Sequence, residues 1–377
     1  MSRDLGILAL ALLTWGIGEG MFFYFQPLYL QQLGADPLLI GAIIGGIGLA
    51  MTLVHLPAGY IADRYGRRPL LYAGWIIGLL ATWIMALAPS LAVFVSGSVL
   101  YGLTYFVMVP LNSYVTAARG RWSVGRAITL ISASFNLGGV LGPLIGGWIG
   151  EQVGLQRTFL VAACLFVVST AIIFLIRAQP VEAASHSSFT TSLSGALNRR
   201  ILSYLGVVFL AMFVIYLPQP LSQNFLQNER GLDLTQIGQL LSAAGVGVVI
   251  FNLVLGQLNA RLGFLLGQAA MACFALLLLV GQAFPWYLAA YFLLGSYKTV
   301  RSLATAQGRA LIDPSKMGLA YGLIETAGSS AIILAPPLAG WLYARNPAWV
   351  YAASLGLILL VLAFNIRYHP LRAEEIL

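Results

Sequence analysis

Runs of about 20 apolar residues, the length an α-helix needs to cross roughly 30 Å of hydrocarbon, recur from one end of this chain to the other. Twelve can be counted, at 5–32, 38–61, 69–88, 91–118, 124–150, 157–177, 201–228, 235–259, 263–283, 286–311, 318–344 and 348–366. Inside a bilayer no water is at hand for the backbone, so such segments must be helices that satisfy their own polar groups. The expected class is an all-α integral membrane protein of twelve transmembrane helices. Of the 377 residues, 59% are hydrophobic and 8% charged, far from the balance of a soluble domain.

The first run begins directly after Ser2 and Arg3, is too long for a cleaved signal peptide and lacks a small-residue cleavage site, so it counts as span one. With both termini on one side, fifteen of the 20 basic residues fall on that side and only Arg157, Arg230 and Arg345 fall opposite. Lys298 and Arg301 lie within a span. By the positive-inside rule the termini are cytoplasmic, and the net charge of +8 reports topology rather than a nucleic-acid partner. Cys164 and Cys273 stand singly, with neither metal-ligand nor disulfide spacing. No H-E-x-x-H, G-x-S-x-G or G-x-x-x-x-G-K-S/T is present, so neither an enzyme nor a cofactor or metal site is expected.

The chain repeats itself. Gln26-Pro27-Leu28 recurs as Gln219-Pro220-Leu221, and Gly102, Pro143, Gly147 and Trp148 recur as Gly295, Pro336, Gly340 and Trp341, all 193 residues apart. Between these landmarks the offset is 197, from Ile40-Gly41 to Ile237-Gly238 and from Gly59 to Gly256, which places a small insertion near the end of span seven. Spans seven to twelve therefore duplicate spans one to six. The expected halves are 1–178 and 200–377, joined by a Ser- and Thr-rich cytoplasmic linker over 179–199.

Between spans two and three sits GYIADRYGRRPL, where Gly59, Asp63, Arg64, Gly66, Arg67 and Arg68 fill the fixed positions of G-x-x-x-D-R-x-G-R-R/K. This turn resembles the loop signature of the major facilitator superfamily of secondary transporters. The second-half equivalent, GQLNARLGF, keeps Gly256, Arg261 and Gly263 but lacks the acid. The resemblance implies a gating loop that braces the cytoplasmic ends of the two halves, with Asp63 as the latch and Arg119 as its partner. Span five carries Gly138, Gly142, Pro143, Gly146 and Gly147 in a G-x-x-x-G-P-x-x-G-G pattern, similar to that of the superfamily's drug:proton antiporters, although Thr129 stands where those carry a further glycine. Small residues there allow close packing, and the proline allows a bend.

Four ionisable residues sit inside apolar spans: Glu19, Lys298, Arg301 and Glu325. Each costs roughly 2.5 to 3.5 kcal/mol at a helix centre, so pairing or contact with a water-filled cavity is expected. Arg301 and Glu325 lie 8 and 9 residues from the cytoplasmic-side Arg309 and Lys316, about 12 to 14 Å deep, and form the expected structural pair. Glu19 is deeper. Since spans one, four, seven and ten line the central cavity in the superfamily, Glu19 and Lys298 are expected to face one another, with Glu19 carrying a proton and Lys298 modulating it. The alternative is a permanent salt bridge between them.

Phe22, Tyr24 and Gln26 of span one, Tyr101, Tyr105 and Asn112 of span four, and Tyr297 of span ten suggest an amphipathic substrate cavity. Gln219, Gln223 and Gln227, four residues apart with Asn224 beside them, suggest one polar helix face in span seven. The resemblance implies a secondary active transporter, working by alternating access as a monomer in a bacterial inner membrane, and proton-coupled efflux of a small amphipathic or drug-like compound is the expected function. A lysophospholipid or glycolipid flippase, a sugar or organic-anion carrier, and a membrane sensor are the alternatives.

Overall fold

The computed structural model describes residues 2–65, 67–179, 199–309 and 317–367, and every regular element among them is a helix. In chain order these are α1 (Arg3–Phe22), α2 (Gln26–Gln32), α3 (Pro37–Tyr65), α4 (Arg67–Ala86), α5 (Leu91–Leu103), α6 (Met108–Ala118), α7 (Val124–Val153), α8 (Leu155–Ile173), α9 (Arg199–Tyr216), α10 (Ser222–Asn228), α11 (Leu234–Leu255), α12 (Ala260–Val280), α13 (Phe284–Leu294), α14 (Ser296–Arg309), α15 (Met317–Arg345) and α16 (Pro347–Arg367). Among the described residues ten helical stretches are long and apolar enough to cross a bilayer, and an eleventh if Leu91–Val107 and Pro110–Ala118 count as one. The remaining expected span, 286–311, is made of α13 and α14, which meet at Gly295. Neither alone reaches the length of a crossing, and α14 carries Lys298 and Arg301.

Contacts divide the chain into two compact units. Unit one comprises Met1–Ala35, Gly46–Ser185 and Leu226–Ser242; unit two comprises Asp36–Gly45, His186–Phe225 and Ala243–Leu377. In unit one α1 packs along α7 and α8, and α4 against α5 and α8. In unit two α9 packs along α15 and α16, and α12 against α13 and α16. These are the same pairings between repeat-equivalent helices.

The duplication reaches down to local geometry. The two Gln-Pro-Leu sequences mark helix breaks: Pro27 opens α2 after a 3-10 turn at Phe23–Phe25, and Pro218 and Pro220 separate α9 from α10. Proline has no N–H to give the preceding turn, which is why the helix stops there. Gly34 and Gly231 both adopt a positive φ, 90° and 68°, that side-chain-bearing residues rarely enter. Two residues later Asp36 and Asp233 each cap the next helix, accepting at 2.7 Å from the N–H of Leu39 and of Gln236. The Gln-Pro-Leu pair is offset by 193 residues and these glycines and caps by 197, so the four inserted residues fall between Leu221 and Gly231.

Two helices in unit one approach to backbone contact. A Cβ added at Gly138, Gly142 or Gly146 of α7 would lie 2.5 Å from the Ile17 nitrogen, 2.4 Å from the Ile17 oxygen and 2.4 Å from the Met21 oxygen of α1. Gly16 of α1 answers, its added Cβ only 2.4 Å from the Phe135 oxygen. Four-residue spacing puts the three α7 glycines on one face, the means by which membrane helices gain dispersion contact without a hydrophobic driving force. Val124–Val153 runs as one helix through Pro143. Gly147 faces elsewhere: a Cβ added there would lie 2.4 Å from the Leu234 oxygen, and one added at Gly340 in unit two would lie 2.4 Å from the Pro37 oxygen. Side chains such as Leu253, Leu360 and Phe364 are exposed, the apolar surface that a bilayer covers.

Candidate functional site

Glu19 sits on α1 one turn after Trp15, so both share a helix face. Trp15 Nε1 donates to Glu19 Oε2 at 3.0 Å, and the Tyr101 hydroxyl donates to the same oxygen at 2.6 Å. Trp15 Nε1 also lies 3.1 Å from the Tyr101 hydroxyl, closing a three-membered cluster. Aromatic packing fixes these donors: the Trp15 ring lies 4.4 Å from that of Phe166 and 4.9 Å from that of Trp75, and Phe22 meets Tyr101 edge-on at 5.1 Å. Trp75 continues the network to Ser169 Oγ at 2.9 Å, and Ser169 to the Ala11 carbonyl at 2.7 Å.

Two neutral donors of unit one thus bond to one oxygen, Oε2, of the half-buried Glu19 carboxylate. Lys298 belongs to unit two.

In unit two, Arg301 of α14 donates to Glu325 Oε2 of α15 from Nε at 3.0 Å and from Nη2 at 2.6 Å, the pairing expected from their depth. Arg301 Nη2 also reaches Ser329 Oγ at 3.1 Å, and Thr305 Oγ1 donates to Glu325 Oε1 at 3.3 Å. Tyr297, one turn before Arg301, packs its ring 5.6 Å from that of Tyr216. Ser329 and Thr305 were not singled out from the sequence, nor was Trp15. The signal available was the same in each case: a hydrogen-bonding side chain four residues from an intramembrane charge.

Several expected cavity residues are core instead. Phe22 is fully buried among Tyr101, Phe159 and Phe166, because the 3-10 turn that follows it holds the ring inside unit one. Gln26 is buried, with its amide nitrogen 3.8 Å from the Met85 sulfur. The single polar face expected of span seven does not form: Gln219 lies in the proline-flanked turn, its Nε2 donating to the Ile215 carbonyl at 2.8 Å, while Gln223 and Asn224 are buried in α10. Ser222 donates to Gln223 Oε1 at 3.4 Å and accepts from the Tyr291 hydroxyl at 2.9 Å. Tyr24, Tyr105 and Tyr297 are half-buried and Asn112 is exposed.

Of the arginine turn, Gly59, Asp63 and Arg64 are described as helical backbone only and Gly66 lies outside the described residues, so the Asp63–Arg119 latch falls outside them too. Arg119 donates to the Thr116 carbonyl. Arg67 Nη1 donates to the Ser113 carbonyl at 3.2 Å, and Arg68 Nε to the Tyr72 hydroxyl at 2.7 Å. Tyr72 in turn donates to the Phe174 and Ile176 carbonyls at 3.0 and 3.1 Å, tying the second half of the turn to the end of span six.

The Major Facilitator Superfamily model matches residues 8–297, and again 204–376. The chain belongs to this superfamily. It is a membrane transporter, and not an enzyme. Multidrug resistance protein 2 of Bacillus subtilis is 22% identical over 345 residues, covering 88% of this chain and 86% of that one. Tetracycline resistance protein, class C, of Escherichia coli is 26% identical over 345 residues, covering 85% of each. Among solved structures, that of the nucleoside transporter NupG superposes with a TM-score of 0.80 over 98% of this chain and all of the other, at 14% identity. That likeness is one of fold.

Proposed function

We propose that this superfamily member expels a small amphipathic, drug-like compound in exchange for protons, by alternating access between the halves 1–178 and 200–377, with 179–199 as a cytoplasmic linker. The observation that carries this reading is Glu19, an intramembrane carboxylate that accepts hydrogen bonds from Trp15 and Tyr101. Similarity to proteins named for multidrug and tetracycline resistance supports the direction of transport. Both termini are cytoplasmic by the positive-inside rule, the arginine turn gates the cytoplasmic side, and one chain carries both halves, so a monomer suffices.

The test is a vesicle experiment. Wild-type protein reconstituted with a trapped pH dye receives an imposed proton gradient and then panels of lipophilic cations, organic anions, sugars and lysolipids. One class is expected to trigger proton movement that empty vesicles lack. Labelled solute that equilibrates with no proton movement from any panel would make the protein a uniporter or lipid flippase.

A further inference from the structure

We infer that Lys298 and the polar face around it receive a negatively charged group of the substrate, which is therefore a small amphipathic organic anion; this rests on the transport reading above and names its substrate class.

α14 has two unlike sides. Thr299, Val300, Leu303 and Ala304 are buried, with Val300 and Leu303 seated where Gly267 and Gly263 of α12 leave room. Lys298, Arg301, Ser302 and Thr305 recur at the three- and four-residue spacing of the other side, where Lys298 and Ser302 are exposed and Arg301 keeps 32% of its side chain accessible. Glu325, 47% accessible, continues this face on α15. Ionised groups do not front hydrocarbon, so an exposed, charged face on a membrane helix fronts water or a solute. Lys298 lies eleven residues from Arg309, about 16 Å along the helix and close to mid-bilayer.

The charges on this face do not cancel. Glu325 is engaged by Arg301 on one oxygen and by Thr305 on the other. The other described carboxylate of unit two, Asp36, caps α3. Among the described residues, then, Lys298 has no carboxylate partner in its own unit, and the face carries one excess positive charge. A lysine ammonium is a point charge with three rotatable donors, so it accepts a carboxylate, an enolate or a phosphate monoester without demanding one geometry. The half-buried pair of Tyr297 and Tyr216 rings beside Arg301 supplies an aromatic wall for an apolar body. Arg301, held by Glu325 and Ser329, is a positioning residue rather than the docking cation.

The probes are three naphthalenes of one size: 2-naphthoate, its neutral amide, and the aminomethyl cation. Binding to purified full-length protein is read by fluorescence, with Lys298→Gln and Lys298→Arg beside wild type. Wild type is expected to favour naphthoate over the amide by about tenfold, Lys298→Gln to lose that preference, and Lys298→Arg to keep it. Equal affinity for the three probes in wild type, or an undiminished preference in Lys298→Gln, overturns the inference. Proton movement on adding naphthoate to wild-type vesicles is scored separately. Selective binding without it sinks the antiport reading and leaves the anion site standing.

Discussion

Gly142→Val is expected to abolish the folded transporter, whereas Gly139→Val, three residues away in sequence from Gly142 and on the same helix, leaves it intact. An added Cβ at Gly142 would stand 2.4 Å from the Ile17 oxygen and 2.7 Å from the Gly20 Cα, both of them backbone atoms that no rotamer change can move aside. Around Gly139 nothing lies within 4 Å. Overpacking in protein cores costs typically 1–3 kcal/mol when side chains can give way; where two backbones must separate, the cost sits at or above the top of that range. It falls on the α1–α7 seam of unit one, where Gly138 and Gly146 approach α1 in the same way one turn to either side. The measurement is the amount of monodisperse protein recovered in detergent and its unfolding temperature. Equal recovery of the two variants would mean that the glycines of span five serve something other than the approach of α1.

Glu19→Gln is expected to fold normally and to bring substrate-driven proton movement down to the level of empty vesicles, while Glu19→Ala loses transport and stability together. Glutamine keeps an oxygen that can accept from both Trp15 Nε1 and the Tyr101 hydroxyl, now bonded to Glu19 at 3.0 and 2.6 Å, but it cannot carry a proton. Alanine leaves two donors without that acceptor at the edge of an aromatic core. Such orphaned groups cost about 1–3 kcal/mol when buried, as Trp15 and Tyr101 are. The Gln variant should still exchange substrate down its own gradient. Proton movement at the wild-type rate in Glu19→Gln would remove this residue from the coupling mechanism and leave the Glu325 carboxylate as the group to test next.

The difference between Gly142 and Gly139 also shows how far a sequence can be read. The G-x-x-x-G spacing identified a packing helix and its face, but both glycines belong to the same Gly-rich run, and only the position of α1 separates the one that is touched from the one that is not. Depth along two helices was enough to pair Arg301 with Glu325, because both distances could be counted from charged residues at the same end. Counting fails for span seven, where four-residue spacing suggests one helix face although Pro218 and Pro220 end the helix around Gln219. The same proline chemistry had already been visible in the repeated Gln-Pro-Leu.

Composition over the width of a bilayer is enough to show that the chain lives in a membrane and roughly where its spans fall, and the recurrence of Gln-Pro-Leu, Gly102 and Pro143 shows that its second half repeats its first. The tertiary structure alone decided which side of each helix meets protein. In a soluble fold, polarity marks the outer face, whereas here lipid is as apolar as the core and the pattern of Phe22, Leu30 or Ile40 is the same whichever they face. Only polar atoms break that degeneracy, because each must find a partner. That is why Glu19 with Trp15 and Tyr101, and Arg301 with Glu325, are the places where the packing of the helices gives the sequence its chemistry.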